Sequence, residues 1–245
     1  MDSINPYESP AVPAQVEQPG AKYLVDQRRL TWREQMRMSQ YPITGLWRWI
    51  SLQLGLARNP TYIHAVPPVR EMSADFADMP PGVGEYLLRF KSEAEAMGFR
   101  GHWTTITRDE AGHATSSILR MLAADPRLYL EVAFVAIDGS MISRHNLVSA
   151  TVDGQYIATS NGWPRESRPP VMKPQYLKGM PLEQMLPRHQ ERLHSFGGEF
   201  RPIYHFEDVL AIVEGLIRAY IEFQVARGFY TPLDENAAAP LSNDF

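Results

Sequence analysis

Apolar residues recur at helical spacing in five stretches of the chain, and a block of alternating, strand-like positions lies among them. Over residues 80–98, Val83, Tyr86, Leu87, Phe90, Ala94 and Met97 fall three and four apart and the run stops at Gly98. This predicts an amphipathic helix closed by a glycine cap. The next segments, 99–107, 114–122, 127–137, 141–152 and 155–160, are rich in β-branched and aromatic residues. They are punctuated by Asp109–Gly112, Asp125-Pro126, Asp138-Gly139 and Asp153-Gly154, and Asp-Gly between such runs signals a hairpin whose turn needs positive φ. About five antiparallel strands are expected here.

Helical spacing returns in 180–198, where Leu182, Leu186, His189, Leu193 and Phe196 share one stripe. Pro187 is expected to start a fresh turn or kink it. Residues 206–228 give the clearest helix, with Val209, Ile212, Val213, Leu216, Ile217, Tyr220 and Ile221 on a wide apolar face. Near the N-terminus two helices are expected, 30–38 and 43–57, separated by Pro42 and Gly45. In the second, Leu46, Trp49, Ile50 and Leu54 recur at helical spacing, and Trp47 and Leu56 widen the face.

The pattern predicts an α+β fold: an antiparallel meander of about five strands with helices packed on one face, plus an N-terminal helical arm. The expected organisation is a disordered lead-in over 1–21, a basic, tryptophan-bearing arm over 22–60 and a linker over 61–79. The α+β domain follows over 80–230, and a disordered tail closes the chain over 231–245. Four prolines in the lead-in and the small, polar make-up of the tail leave little to offset ordering entropy.

Composition narrows the function classes. With 44% hydrophobic and 21% charged residues in 245, the chain is long and apolar enough to bury its own core. A net charge of −4 argues against a general nucleic-acid binder, which needs a basic excess to displace counterions. There is no cysteine, so disulfides, thiolate metal sites and cysteine nucleophiles drop out together. The first residues lack the pattern of a secretory signal, and no run of roughly 18 apolar residues occurs. A cytoplasmic protein, peripheral to the inner face of a membrane if attached at all, is the expectation.

Charge is unevenly distributed. Residues 22–58 hold Lys22, Arg28, Arg29, Arg33, Arg37, Arg48 and Arg58 against Asp26 and Glu34, a net of +5 within a chain of −4. Trp32, Trp47 and Trp49 stand beside Arg33, Arg37 and Arg48, a combination that suits either an anionic membrane interface or a protein partner. A helix covering the sheet or a subunit contact would carry the same amphipathic pattern.

Candidate chemistry is sparse. Ser160 and Asn161 end the strand in 155–160, but a nucleophilic serine wants a strained Gly-x-Ser-x-Gly elbow, which is absent, and Asn161-Gly162 reads as a turn. His189 occupies an apolar stripe, as a core histidine would; a base near the sheet–helix seam is the alternative. The seven histidines lack metal-ligand spacing and no phosphate-binding loop occurs, so neither metal nor cofactor is expected.

The segments NPYESP (5–10), VDGQYIATSN (152–161) and LPRHQERL (186–193) resemble a pattern found in a family of uncharacterised bacterial proteins: a D-G-x-x-I-x-T-S-N strand followed by an H-x-x-x-L helix. The resemblance spans roughly Phe99 to Phe196 and implies no activity and no catalytic residues. Three functions stay open. The first is a non-enzymatic binding domain attached to a membrane or partner through the basic arm. A hydrolase-like enzyme around His189, with Ser160 and Asn161 nearby, is the second, and a carrier of a small apolar ligand the third.

Overall fold

The computed structural model describes residues 21–39, 41–57, 62–65, 73–108, 114–137, 140–162 and 167–233. Most of the lead-in, the tail beyond 233, and the turns at 109–112 and 138–139 lie outside the described residues. The elements, in chain order, are β1 (Lys22–Val25), α1 (Trp32–Met38), α2 (Pro42–Gln53), β2 (Tyr62–Ala65), α3 (Val83–Ala96), β3 (Arg100–Arg108), β4 (Ala114–Leu122) and β5 (Tyr129–Ile137). They continue with β6 (Ser140–Ala150), β7 (Tyr156–Ser160), β8 (Met172–Tyr176), α4 (Leu182–Phe196), α5 (Phe206–Ala226) and β9 (Tyr230–Pro232). Two compact units result. One holds the described residues of 21–65, Ser167 and the described residues from Arg218 on; the other holds those of 73–162 and 168–217.

The larger unit has the α+β architecture, built on a six-stranded sheet in the order β3-β4-β5-β6-β7-β8. Its first five strands are antiparallel neighbours in sequence order, as the turn signals predict. At the Asp153-Gly154 turn, Gly154 adopts φ 84°, a left-handed conformation that costs glycine no Cβ clash. The Thr151 N–H then donates to the Gln155 carbonyl at 2.9 Å.

The sixth strand, β8, was not expected. It runs parallel to β7, from Tyr156↔Met172 to Ser160↔Tyr176. Pro174 weakens its strand signal, yet proline is tolerated on an edge strand because one side of the ladder needs no donor.

Helices cover both faces of this sheet rather than the single face expected. Leu119, Leu130, Val132, Leu147 and Ile157 pack with Leu87, Phe90 and Ala94 of α3 and with Leu182, Met185 and Leu193 of α4. Tyr129, Val148 and Ala150, on the opposite side of the pleat, pack with Val209, Leu210, Ile212 and Val213 of α5. Two-sided burial explains why β5 reads as a nearly continuous apolar run. The cap expected after α3 is present: Gly98 N–H donates to the Glu95 carbonyl at 3.0 Å and Phe99 N–H to the Ala94 carbonyl at 3.1 Å. The α4 helix continues through Pro187 without interruption.

In the smaller unit a three-stranded antiparallel sheet, β2-β1-β9, joins segments expected to be arm, linker and tail. Tyr23 and Tyr230 stack across it with ring centroids 5.7 Å apart, and Tyr220 meets Tyr230 edge-on at 6.3 Å. Helices α1 and α2 pack against each other in the same unit.

Candidate functional site

The placement of α1 begins with its cap. The Thr31 hydroxyl accepts from Glu34 N–H at 3.3 Å, while Glu34 Oε2 accepts from the Thr31 N–H at 2.7 Å and hydroxyl at 2.8 Å. The same carboxylate, 1% exposed, receives both ends of the Arg227 guanidinium at 2.7 Å and the Ser167 N–H at 2.8 Å. Burial alone would raise the Glu34 carboxyl, but Arg227, Ser167 and Thr31 outweigh it and hold the group well below the usual carboxylate range. Arg227 Nη2 also donates to the Arg29 carbonyl at 3.0 Å. Helix α1 and the end of α5 are thereby locked together.

One side of α2 is then fixed against this frame. At Gly45 a Cβ would lie 2.6 Å from both the Gln35 carbonyl oxygen and the Met36 Cα, so only glycine permits this helix crossing. Trp49 Nε1 donates to the Leu30 carbonyl at 3.0 Å, and Gln53 Nε2 to the Arg28 carbonyl at 2.8 Å. Leu52 is buried beside them.

The other side points outward. Ile43, Trp47 and Leu54 are 78%, 67% and 67% exposed, with Leu56 just beyond the helix at 72%. At about 100° per residue, Ile43, Trp47, Ile50 and Leu54 fall within an arc of about 60°, opposite Gly45 and Leu52. One apolar stripe of α2 is thus turned away from α1 and the 28–30 segment on which the helix packs.

The residues named from the sequence divide accordingly. Trp47 lies on the outward stripe. Trp32 is partly exposed on α1, with the Arg33 guanidinium 5.2 Å from its ring centre. Arg33, Arg37 and Arg48 are exposed, and Arg48 donates to Gln27 Oε1 at 3.1 Å. Trp49 lies on the packed side, its indole N–H engaged. Ile43 and Tyr41 are outward residues that the spacing argument did not single out. Ile43 extends the Trp47–Leu54 series by one more helical turn, a signal that was available.

In the larger unit, His189 is fully buried in α4, with Nε2 3.0 Å from the Ser149 hydroxyl and Nδ1 2.9 Å from the Thr159 hydroxyl. Both ring nitrogens are engaged, and burial lowers its pKa to about 3, so it stands neutral. The serine–histidine distance would suit proton transfer, but Ser149, Thr159 and His189 are each 0% exposed, so this geometry gives no substrate access. Ser160 and Asn161 are not brought to it. Ser160 Oγ accepts from Gly162 N–H at 3.2 Å, and Asn161 Oδ1 from His145 N–H at 2.8 Å, both extending the end of the β6–β7 ladder.

Two further polar groups lie on the sheet. His145, on the α3 side, holds Nε2 3.3 Å from the Tyr86 hydroxyl and packs its ring 4.5 Å from that of Phe90; burial lowers its pKa to about 4. On the α5 side a row of residues in direct register crosses five strands: Trp103, Arg120, Glu131, Asn146 and Ser160. Arg120 Nε donates to Glu131 at 3.0 Å, Asn146 Nδ2 donates to the same carboxylate at 3.2 Å, and the guanidinium lies 5.1 Å from the Trp103 ring centre. Its charges satisfy one another. Among the described residues no cluster of three or more metal-ligating side chains occurs, and no helix is long and apolar enough to cross a membrane.

The chain matches no protein-family model, no curated protein and no solved structure.

Proposed function

We propose that this chain is a binding module whose working surface is the outward face of the α1–α2 hairpin. The observation that carries the reading is the orientation of α2, which packs through Gly45, Trp49 and Leu52 and presents Ile43, Trp47 and Leu54 to the outside. Exposed apolar area forfeits roughly 25 cal/mol per Å² of burial free energy, and contiguous patches of it mark interaction sites. Trp32, Tyr41, Ile43, Trp47, Leu54 and Leu56 are concentrated in one short stretch. The other exposed large apolar residues among the described ones, Leu88, Val152, Phe196 and Tyr204, belong to separate segments.

The hairpin is also preorganised. Arg48, Trp49 and Gln53 tie α2 to residues 27–30, and the Glu34–Arg227 pair ties α1 to the end of α5. Docking a helix already held in place costs little ordering entropy.

Photocrosslinking tests this without assuming what is bound. A benzoylphenylalanine at position 47 in the full chain is expected to form adducts in lysate of the native cell, whereas one at Leu88, exposed on α3, is not. Equal adduct formation at both positions, or no adduct at 47 with either protein or lipid, would overturn the proposal.

A further inference from the structure

We infer that the surface met by this face is an anionic lipid interface, an inference that rests on the docking reading above. Charge selects the occupant. Between Thr31 and Ala57 the charged residues are Arg33, Glu34, Arg37 and Arg48. Glu34 is buried and neutralised by Arg227, whereas the three arginines are exposed. The exposed charge of the hairpin is therefore three guanidiniums and no carboxylate. A second copy of the same face would bring like charges together, which disfavours self-docking.

Shape agrees with charge. From Ile43 to Leu54 the stripe runs about 16 Å along the helix at 1.5 Å per residue, and its members share one narrow arc. A helix lying flat would seat Ile43, Trp47 and Leu54 at one depth, the indole at the headgroup boundary. Arg48, about 100° around the helix from Trp47, would exchange its bond to Gln27 for the phosphates. The lipid class is any anionic phospholipid, since guanidiniums pair with the phosphate and negative charge that these lipids share rather than with one headgroup.

The test is flotation of the full chain with phosphatidylcholine vesicles and with phosphatidylcholine–phosphatidylglycerol vesicles, at low and raised salt. Binding to the anionic vesicles alone, weakened by salt, is expected. The triple variant R33Q/R37Q/R48Q should lose about fivefold per arginine, roughly a hundredfold together, following the usual surface contribution of a basic side chain. Trp47→Glu should lose at least about tenfold, since a charge replaces the inserted ring. Both variants alter exposed side chains, and unchanged thermal unfolding would show that they remain folded. Equal flotation with neutral vesicles, or anionic binding that survives both variants, would overturn the inference. No flotation together with protein adducts at position 47 would overturn the lipid assignment and leave the docking surface standing; no flotation and no adducts would remove both.

Discussion

Replacing Arg227 with Met should destabilise the smaller unit by about 3–5 kcal/mol at neutral pH, the usual cost of removing one partner from a buried ion pair. The structure accounts for the size. Two charge-assisted bonds of 2.7 Å disappear, and a carboxylate 1% exposed keeps only Thr31 and Ser167 as donors. The pH dependence adds a second signature. In the native protein the Glu34 pKa is depressed from 4.5, so its contribution is present above about pH 4.5 and lost as pH falls below it. In the variant the cation is gone while burial still raises the carboxyl, so protonation relieves the penalty and the difference from the native protein shrinks toward pH 4. Denaturant unfolding at pH 7 and pH 4 measures this. In a Trp103→Phe, Trp163→Phe background, fluorescence of the remaining Trp32, Trp47 and Trp49 reports the smaller unit, which matters because two units need not unfold as one. A double-mutant cycle with Glu34→Gln should show coupling of about 1–3 kcal/mol. A cost below about 1 kcal/mol, or one equal at both pH values, would refute the claim that this pair locks α1 to the end of α5.

The orientation of α2 makes two substitutions diverge: Gly45→Ala should cost about 1–3 kcal/mol because its Cβ meets backbone at 2.6 Å, whereas Ile43→Ser on the outward face should stay within about 0.5 kcal/mol, both read by denaturant midpoint. Ser149→Ala strands one His189 nitrogen in the core and should cost about 1–3 kcal/mol in the same assay. His145 and His189 are held neutral with folded pKa values of about 4 and about 3 against 6.5, so their contribution is present above pH 6.5 and lost as pH falls. Each should steepen acid destabilisation by up to about 1.4 kcal/mol per pH unit, and His145→Phe should flatten the stability–pH curve by that amount between pH 6 and 5.

Much of the larger unit was legible in local pattern. Asp153-Gly154 marked a turn, the spacing of Val83 to Met97 marked α3, and the face from Val209 to Ile217 marked α5. β8 was hidden because Pro174 and its half-exposed, alternating side chains give no apolar signal; only its parallel neighbour β7 makes it a strand. β1, β2 and β9 are three or four residues long, and β1 pairs with β9 across some two hundred residues of sequence, so no local periodicity announces them. The α2 case is the most instructive for function. Periodicity reveals that a helix has an apolar face, but which side meets the protein was decided by the close crossing at Gly45 and the indole bond of Trp49. His189 shows the same limit, since its place in an apolar stripe was readable but its hydroxyl partners depend on which residues of β6 and β7 come opposite α4.

Because the chain contains no cysteine, single cysteines can be placed at will and labelled cleanly with an environment-sensitive fluorophore. The measurement that tests the central claim most directly is the emission of such a label at position 47 or 54 in the full chain, against the same label at 88, as anionic vesicles are added. A blue shift at 47 and 54 with none at 88 is what an outward apolar stripe seated in a lipid interface predicts. Unchanged emission at 47 and 54, or an equal shift at 88, would contradict it.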